Sequence, residues 1–349
     1  MKTNQLKFSA VICTMQLLNP AFTVVRDRSR RCFLLFIRGA ISVKERLTAA
    51  TGAEVPFHHV VVQEGRVSNL VLGEEKDSSL KETDEEEAKI LGRSEAPRTT
   101  KGNYADQFGV NFAVGGAGVF EVPRKAPTLA DQIDSFKKML NGGDIGKWRL
   151  EESAALVAIS GNDYARVANM SSESEILGFI GNVTDEIARG VARLRKLGVT
   201  KVLVYNLHPL GCTPWQVRPS NYTKCTGRGN MAAEFHNGDL EKKLNATSSD
   251  SVYLVDLNRA FTNIVDPSDP HDVPQVAKQF ENKLKPCCDS FDPSGYCRQV
   301  DEDGGAQYSF CSNPEKHFFW DDVHPTQAGW EAVMEQLEQD IKHFLHISY

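Results

Sequence analysis

Residues 153–211 begin with SAALVAIS (153–160), continue through SEILGFIGNVTDEIARGVARLRKLG (174–198) and close with VTKVLVYNLHPLG (199–211). The first is an apolar run of strand length ending at Gly161-Asn162-Asp163, which reads as a buried strand. The second repeats its apolar residues at helical spacing and has Gly198 at its end, where a helix favours a residue of left-handed backbone. The third is again a strand. Strands alternating with helices predict a parallel sheet covered on both faces.

The alternation continues on both sides. GVNFAVGGAGVF (109–120) is a strand entering a glycine-rich loop, and TLADQIDSFKKML places Leu129, Ile133, Phe136 and Leu140 at helical spacing. AAEFHNGDLEKKLNAT (232–247) reads as a helix, VYLVDLNRAF (252–261) as a strand and loop, and AGWEAVMEQLEQDIKHFL (328–345) as a final helix. An irregular, cysteine-bearing stretch fills 285–315. Residues 1–100 differ: a basic opening, then VPFHHVVVQEGRVSNLVLG (55–73) with one or two strands, then a charge-dense acidic run (74–102). Such a run is solvated rather than packed. The expected organisation is a partly disordered N-terminal segment, 1–100, followed by one α/β domain, 101–349.

The 349 residues are 41% hydrophobic and 25% charged, the composition of a globular protein. A net charge of -6 leaves no basic excess for phosphates, so a general nucleic-acid binder is not expected. No apolar run reaches the ~18 residues of a transmembrane helix. Of eight cysteines, six follow residue 200: Cys212, Cys225, Cys287, Cys288, Cys297 and Cys311. An even, clustered set predicts disulfides in an oxidising compartment. Cys212 and Cys225 bracket a short polar loop and form the first expected bridge; the other four allow three pairings. No C-x-x-C pair occurs, so no zinc or other metal is expected. Sequons at Asn169, Asn182, Asn221 and Asn245 point to secretion as well. The opening FSAVICTMQLL (8–18) is at most a weak signal sequence, without a clear cleavage site.

Three motifs carry chemistry. FFWDDVHPTQAGW (318–330) sets Asp321 three residues before His324 and closes the pair with Pro325. A hydrolytic histidine needs a carboxylate on Nδ1 to fix its tautomer, leaving Nε2 to take a proton. Asp322 is a rival by adjacency, but it points elsewhere in any turn that lets Asp321 reach the ring. In NFAVGGAG (111–118), glycines let backbone N–H groups approach a ligand, as an oxyanion hole requires. In SGNDY (160–164), Asn162 offers a side-chain amide at a strand end, and Asp163 an acid that orders the loop or caps a helix. The glycine loop lacks the spacing and acid of a dinucleotide fingerprint, and no cofactor is expected.

NFAVGGAG, ISGNDY, NLHPLGCTP (206–214) and FFWDDVHPTQAGW, in this order, resemble the plant GDSL-type esterase/lipases of the SGNH hydrolase superfamily. The resemblance runs from Tyr104 to the C-terminus. It implies a three-layer α/β/α, flavodoxin-like domain that hydrolyses carboxylic esters through an acyl-enzyme. It also implies Gly116 (before Gly115) and Asn162 as oxyanion donors, His324 as general base and Asp321 as its orienting acid. The family's nucleophile lies in a Gly-Asp-Ser block at the end of the first strand, and this sequence contains no Gly-Asp-Ser. The nucleophile is therefore unassigned, and the domain is expected to lack the family's first strand and helix. Of the early serines only Ser68 stands beside a recognisable strand. The alternative to a Ser-His-Asp ester hydrolase is an inactive relative that binds an ester or acyl ligand. Either way the expected partner is a small-molecule, lipid or polysaccharide ester, met by a secreted monomer.

Overall fold

The computed structural model describes five strands ahead of residue 100 and, with short gaps, residues 109–347. Two antiparallel hairpins belong to the first group: β1 (Ser9–Cys13) with β2 (Phe22–Arg26), and β4 (His59–Gln63) with β5 (Arg66–Leu70). The fifth early strand, β3 (Phe33–Gly39), belongs to the main sheet. There it joins β6 (Gly109–Asn111), β7 (Ser153–Ile159), β8 (Lys201–Tyr205) and β9 (Val252–Val255) in the order β6-β3-β7-β8-β9. Every pairing is parallel. Counted along the sheet's own strands this is 2-1-3-4-5, the flavodoxin-like order.

The place beside β7 that the sequence reading left without a strand is filled from the basic opening. β3 pairs with β7 along its whole length, from Phe33 opposite Ser153 to Gly39 opposite Ile159. No helix lies between β3 and β6 among the described residues. Ser68, the serine singled out by its neighbouring strand, is in β5 opposite Val61, in a hairpin outside the parallel sheet.

The strands divide the core in two. Ala155, Val157 and Ile159 of β7, with Val202 and Val204 of β8, pack on one side with α1 (Leu129–Gly142), α2 (Glu173–Lys196) and α3 (Gly227–Asn245). Leu156 and Ala158, with Leu203 and Tyr205, pack on the other with α4 (Leu257–Val265) and α5 (Gln327–Phe344). Successive side chains of a strand point to opposite faces, so all seven residues of β7 are buried. The three-layer α/β/α sandwich follows from that alternation.

Local chemistry sets the helix ends. Thr128 and Asp131 form a reciprocal capping box on α1, and Ser172 accepts the Glu175 N–H at the start of α2. Arg193, Arg195 and Lys196 fill the last turn of α2, where the helix dipole favours cations. Beyond the sheet, β10 (Cys288–Ser290) and β11 (Tyr308–Phe310) form a small hairpin. It is stapled by Cys287–Cys311 and Cys288–Cys297, while Cys212–Cys225 closes the loop after β8. The expected first bridge is present, and the remaining four cysteines take one of the three pairings.

Replacing Cys287 and Cys311 together by alanine should lower the unfolding free energy by about 2–4 kcal/mol, because the unfolded chain regains the freedom of that loop. Chemical denaturation of the unreduced protein checks this; a loss below about 0.5 kcal/mol would contradict it.

Candidate active site

The strand order reverses between β3 and β7, and in open α/β sheets ligands bind beyond the carboxyl ends of the strands at such a switch. The loops that leave this edge carry the residues singled out in the sequence. β6 runs into the glycine loop, β7 into Gly161–Tyr164, and β8 into Asn206–Pro214.

In the glycine loop, the Ala117 N–H donates to the Val114 carbonyl (3.2 Å). Gly116 holds the third place of that turn at φ +79°, a left-handed value that a side chain disfavours. Gly118 is required by close approach: a Cβ there would lie 2.6 Å from the Asp163 carboxylate. That carboxylate accepts the N–H groups of Val119 and Phe120, both at 3.0 Å. Asp163 therefore orders the glycine loop, one of the two roles anticipated for it. The Asn162 amide, 3% exposed, donates to the Ala117 carbonyl at 2.9 Å. Gly116 and Asn162 thus belong to one hydrogen-bonded unit. Gly115 and Ser160 lie outside the described residues.

Asp321 and His324 meet as expected. His324 Nδ1 lies 2.9 and 2.8 Å from the two Asp321 oxygens, in a buried setting. An ionised carboxylate only accepts, so Nδ1 carries the proton and Nε2 is the basic nitrogen. The backbone N–H groups of Val323 and His324 also donate to Asp321 Oδ1 (3.0 and 2.8 Å). Burial works to raise the Asp321 carboxyl pKa. The facing imidazole and these hydrogen bonds outweigh it and hold the acid below its ordinary value. The turn is closed by the Trp320 N–H on the His324 carbonyl (2.7 Å). Thr326 then caps α5 by accepting the Gly329 N–H (3.0 Å). Pro325 thus separates a closed turn from a capped helix, which explains the motif's spacing. Asp322, the neighbouring acid, pairs with Arg218 at 2.5 Å.

His208, Arg218, Tyr164 and His236 were not assigned roles from the sequence. His208 lies beyond β8, where Asn237 and Asn258 bind both sides of Leu207 (2.8–3.0 Å). Its ring packs on Phe261, 5.1 Å between centroids. Burial, then the charge of nearby His324, lowers its pKa to about 4. The Tyr164 hydroxyl meets His236 Nδ1 at 2.5 Å, and burial lowers the His236 pKa to about 3. The motif NLHPLGCTP marked the first of these residues. The Tyr164–His236 pair spans 72 positions and left no local pattern.

Two close groups of metal-ligand type occur among the described residues, Cys287–Cys311–His317 and Cys212–Cys225–Asp266. In both, the cysteines are joined as disulfides, so neither offers the thiolates that a soft metal needs. No helix of the described residues is long and apolar enough to cross a membrane.

Two predictions arise from this geometry. Asp163→Ala should cost about 2–4 kcal/mol, since two inward N–H groups lose their acceptor, whereas Asp163→Asn keeps one acceptor and should cost less. Equal urea midpoints for the two variants would contradict this. The second concerns pH. His208 and His236 are held neutral, with folded pKa values of about 4 and about 3, below the unfolded value of about 6.5. The unfolded chain takes up protons that the fold refuses, so stability is full above about pH 6.5 and falls as pH drops towards 4. Each histidine accounts for a loss on the order of 3 kcal/mol. A flat denaturation midpoint between pH 7 and 4.5 would contradict it.

The sequence profile of GDSL-like lipases/acylhydrolases matches residues 79–337, starting within the stretch assigned above to the N-terminal segment. GDSL esterase/lipase At5g03610 of Arabidopsis thaliana is 37% identical over 241 residues, 67% of this chain and 66% of its own length. GDSL esterase/lipase At3g09930 of the same plant is 35% identical over 267 residues, 73% of this chain and 74% of its own. The anther-specific proline-rich protein APG of Brassica napus is 27% identical over 256 residues, covering 68% and 54%. With a profile match over most of its length, relatives at this identity and a parallel α/β/α fold, the chain belongs to the GDSL lipase/acylhydrolase family.

Proposed function

We propose that this protein hydrolyses carboxylic esters, with His324 as general base and Asp321 as its orienting acid. The observation that carries the reading is the buried contact of His324 Nδ1 with both Asp321 oxygens. It fixes the tautomer in which Nε2 accepts a proton. In this scheme Nε2 takes the proton of a hydroxyl as its oxygen attacks the ester carbonyl. The Gly116 N–H and the Asn162 amide stabilise the resulting oxyanion. His324 returns the proton to the departing alcohol as the C–O bond breaks. Water then releases the acyl group by the same steps.

The nucleophile is left unassigned, because no Gly-Asp-Ser occurs. That absence favours a second reading, a non-catalytic binder of esters or acyl groups. In the proposal residues 101–349, with β3 (Phe33–Gly39) completing their sheet, are the hydrolase domain, and the protein acts as a secreted monomer. Three disulfides and the exposed sequon residues Asn182, Asn221 and Asn245 support secretion. Lipid esters, acetylated polysaccharide and small metabolite esters all suit a site of this kind.

The test is turnover of p-nitrophenyl acetate and butyrate, with labelling by a serine-reactive phosphonate, on the full chain and its His324→Ala variant. Catalysis requires labelling and a loss of roughly 10⁴-fold or more in kcat for His324→Ala. Turnover indifferent to His324→Ala would sink the mechanism, and no labelling with no turnover leaves the binder. If the chain is active, Ser42→Ala and Ser68→Ala identify the nucleophile. Ser42 stands three positions beyond Gly39, the last residue of β3, in the sequence.

A further inference from the structure

Two adjacent acids, Asp321 and Asp322, begin the turn that ends at His324, yet only one meets the imidazole. The other is claimed by a residue more than a hundred positions earlier. Arg218 lies between Cys212 and Cys225, in the loop that their disulfide closes. Its Nη2 reaches Asp322 Oδ1 at 2.5 Å and Asp289 Oδ1 at 3.1 Å. Its Nη1 donates to the carbonyls of Pro293 (3.2 Å) and Gly295 (3.1 Å), and its Nε to the Tyr222 hydroxyl (2.9 Å). Tyr222 in turn donates to Asp289 at 2.8 Å. Asp289, Pro293 and Gly295 all fall inside the loop closed by Cys288–Cys297. The Arg218 and Asp322 side chains are 9% and 7% exposed.

One guanidinium therefore joins three pieces: two disulfide-closed loops and the Asp321–His324 turn. The backbone repeats the connection. The Trp215 N–H donates to the Asp322 carbonyl (2.9 Å), and those of Cys287 and Cys288 donate to the carbonyls of Phe319 (3.0 Å) and Trp320 (2.6 Å). A planar fork of five donors suits this task, and a lysine ammonium does not reproduce it.

We propose that Arg218 is a positioning residue that decides which of two neighbouring carboxylates serves His324, by holding Asp322 away and leaving Asp321 to the ring. The inference rests on the reading of Asp321–His324 as the acid–base pair. A released Asp322 would stand one residue from Asp321 with an unneutralised charge, and a carboxylate in that place competes for Nδ1–H. Among the described residues, the charged and titratable groups around His324 include Asp321 and Asp322 from its own turn and His208 from the loop after β8. Arg218, Asp289 and Tyr222 stand behind Asp322.

The experiment follows the His324 ring by imidazole ¹H–¹⁵N NMR against pH in the full disulfide-bonded chain, with the signal assigned by His324→Ala. Asp321→Asn is compared in two backgrounds, unmodified and Arg218→Met. In the unmodified background it should lower the His324 midpoint by roughly one pH unit or more, as the facing charge is lost. In the Arg218→Met background the drop should be less than half as large, because Asp322 takes over. Adding Asp322→Asn should restore the full drop. Equal drops in both backgrounds would overturn the proposal, whatever the effect on thermal stability, since a purely structural arginine does not alter which acid the ring senses. If Arg218→Met fails to fold, Arg218→Gln, which also removes the charge, is used in the same cycle, with the same two outcomes deciding. Ester turnover is read in parallel: Arg218→Met should lower kcat by about 100-fold with little change in KM. A chain with no turnover whose NMR cycle behaves as described loses the hydrolase reading and keeps this one; active protein with a flat cycle does the reverse.

Discussion

A parallel strand hydrogen-bonded on both edges and apolar on both faces has to be covered on both faces, and β7 imposes that requirement here. Ser153–Ile159 is buried throughout, between β3 on one edge and β8 on the other. Its odd- and even-numbered residues feed two separate cores, so helices must pack on each side. Once they do, every crossover returns to the same edge, and the carboxyl ends of the strands become one platform of loops. The edge that carries the candidate site is a consequence of how β7 is buried.

The loops that leave that edge carry buried polar groups, including Asn162, Asp163, Asn206 and His208. The turn of Asp321, Asp322 and His324, also buried, is bonded to the segment after β8 through the Trp215 N–H and the Asp322 carbonyl. Burying such groups is costly unless they are paired. The structure meets the cost with short-range bonds: Asp163 to the glycine loop, Asn206 to Asp256, and Asp321 to its own turn. These contacts also fix geometry, because a carboxylate that accepts two or three donors cannot rotate. Asp321, with two backbone N–H groups and an imidazole, is immobilised in this way.

The part of the chain furthest from regular secondary structure lies against the segment that leads into the Asp321–His324 turn. The hairpin of β10 and β11 has little apolar core of its own and depends on two disulfides. Backbone bonds from Cys287 and Cys288 and the Arg218 guanidinium carry that rigidity to the turn holding His324. Covalent constraint of the loops thus stands in for the packing that holds the sheet.

Much was legible in the sequence because it rests on interactions within a few residues. Helical and strand periodicities gave the α/β alternation, Gly198 the end of α2, and the three-residue spacing of Asp321 and His324 their contact, since one turn closes it. Cys212–Cys225 was also legible, being a local loop. The tertiary structure alone decided the rest. β3 lies in a basic segment with no helix pattern to flank it, and only its pairing with β6 and β7 gives it a place in the sheet. The partner of Asp322, Arg218, comes from more than a hundred positions away, and the burial of His208 and His236 depends on residues brought in from other strands and helices. A side chain's charge state and partner are set by desolvation and by neighbours across the fold, which sequence spacing does not encode.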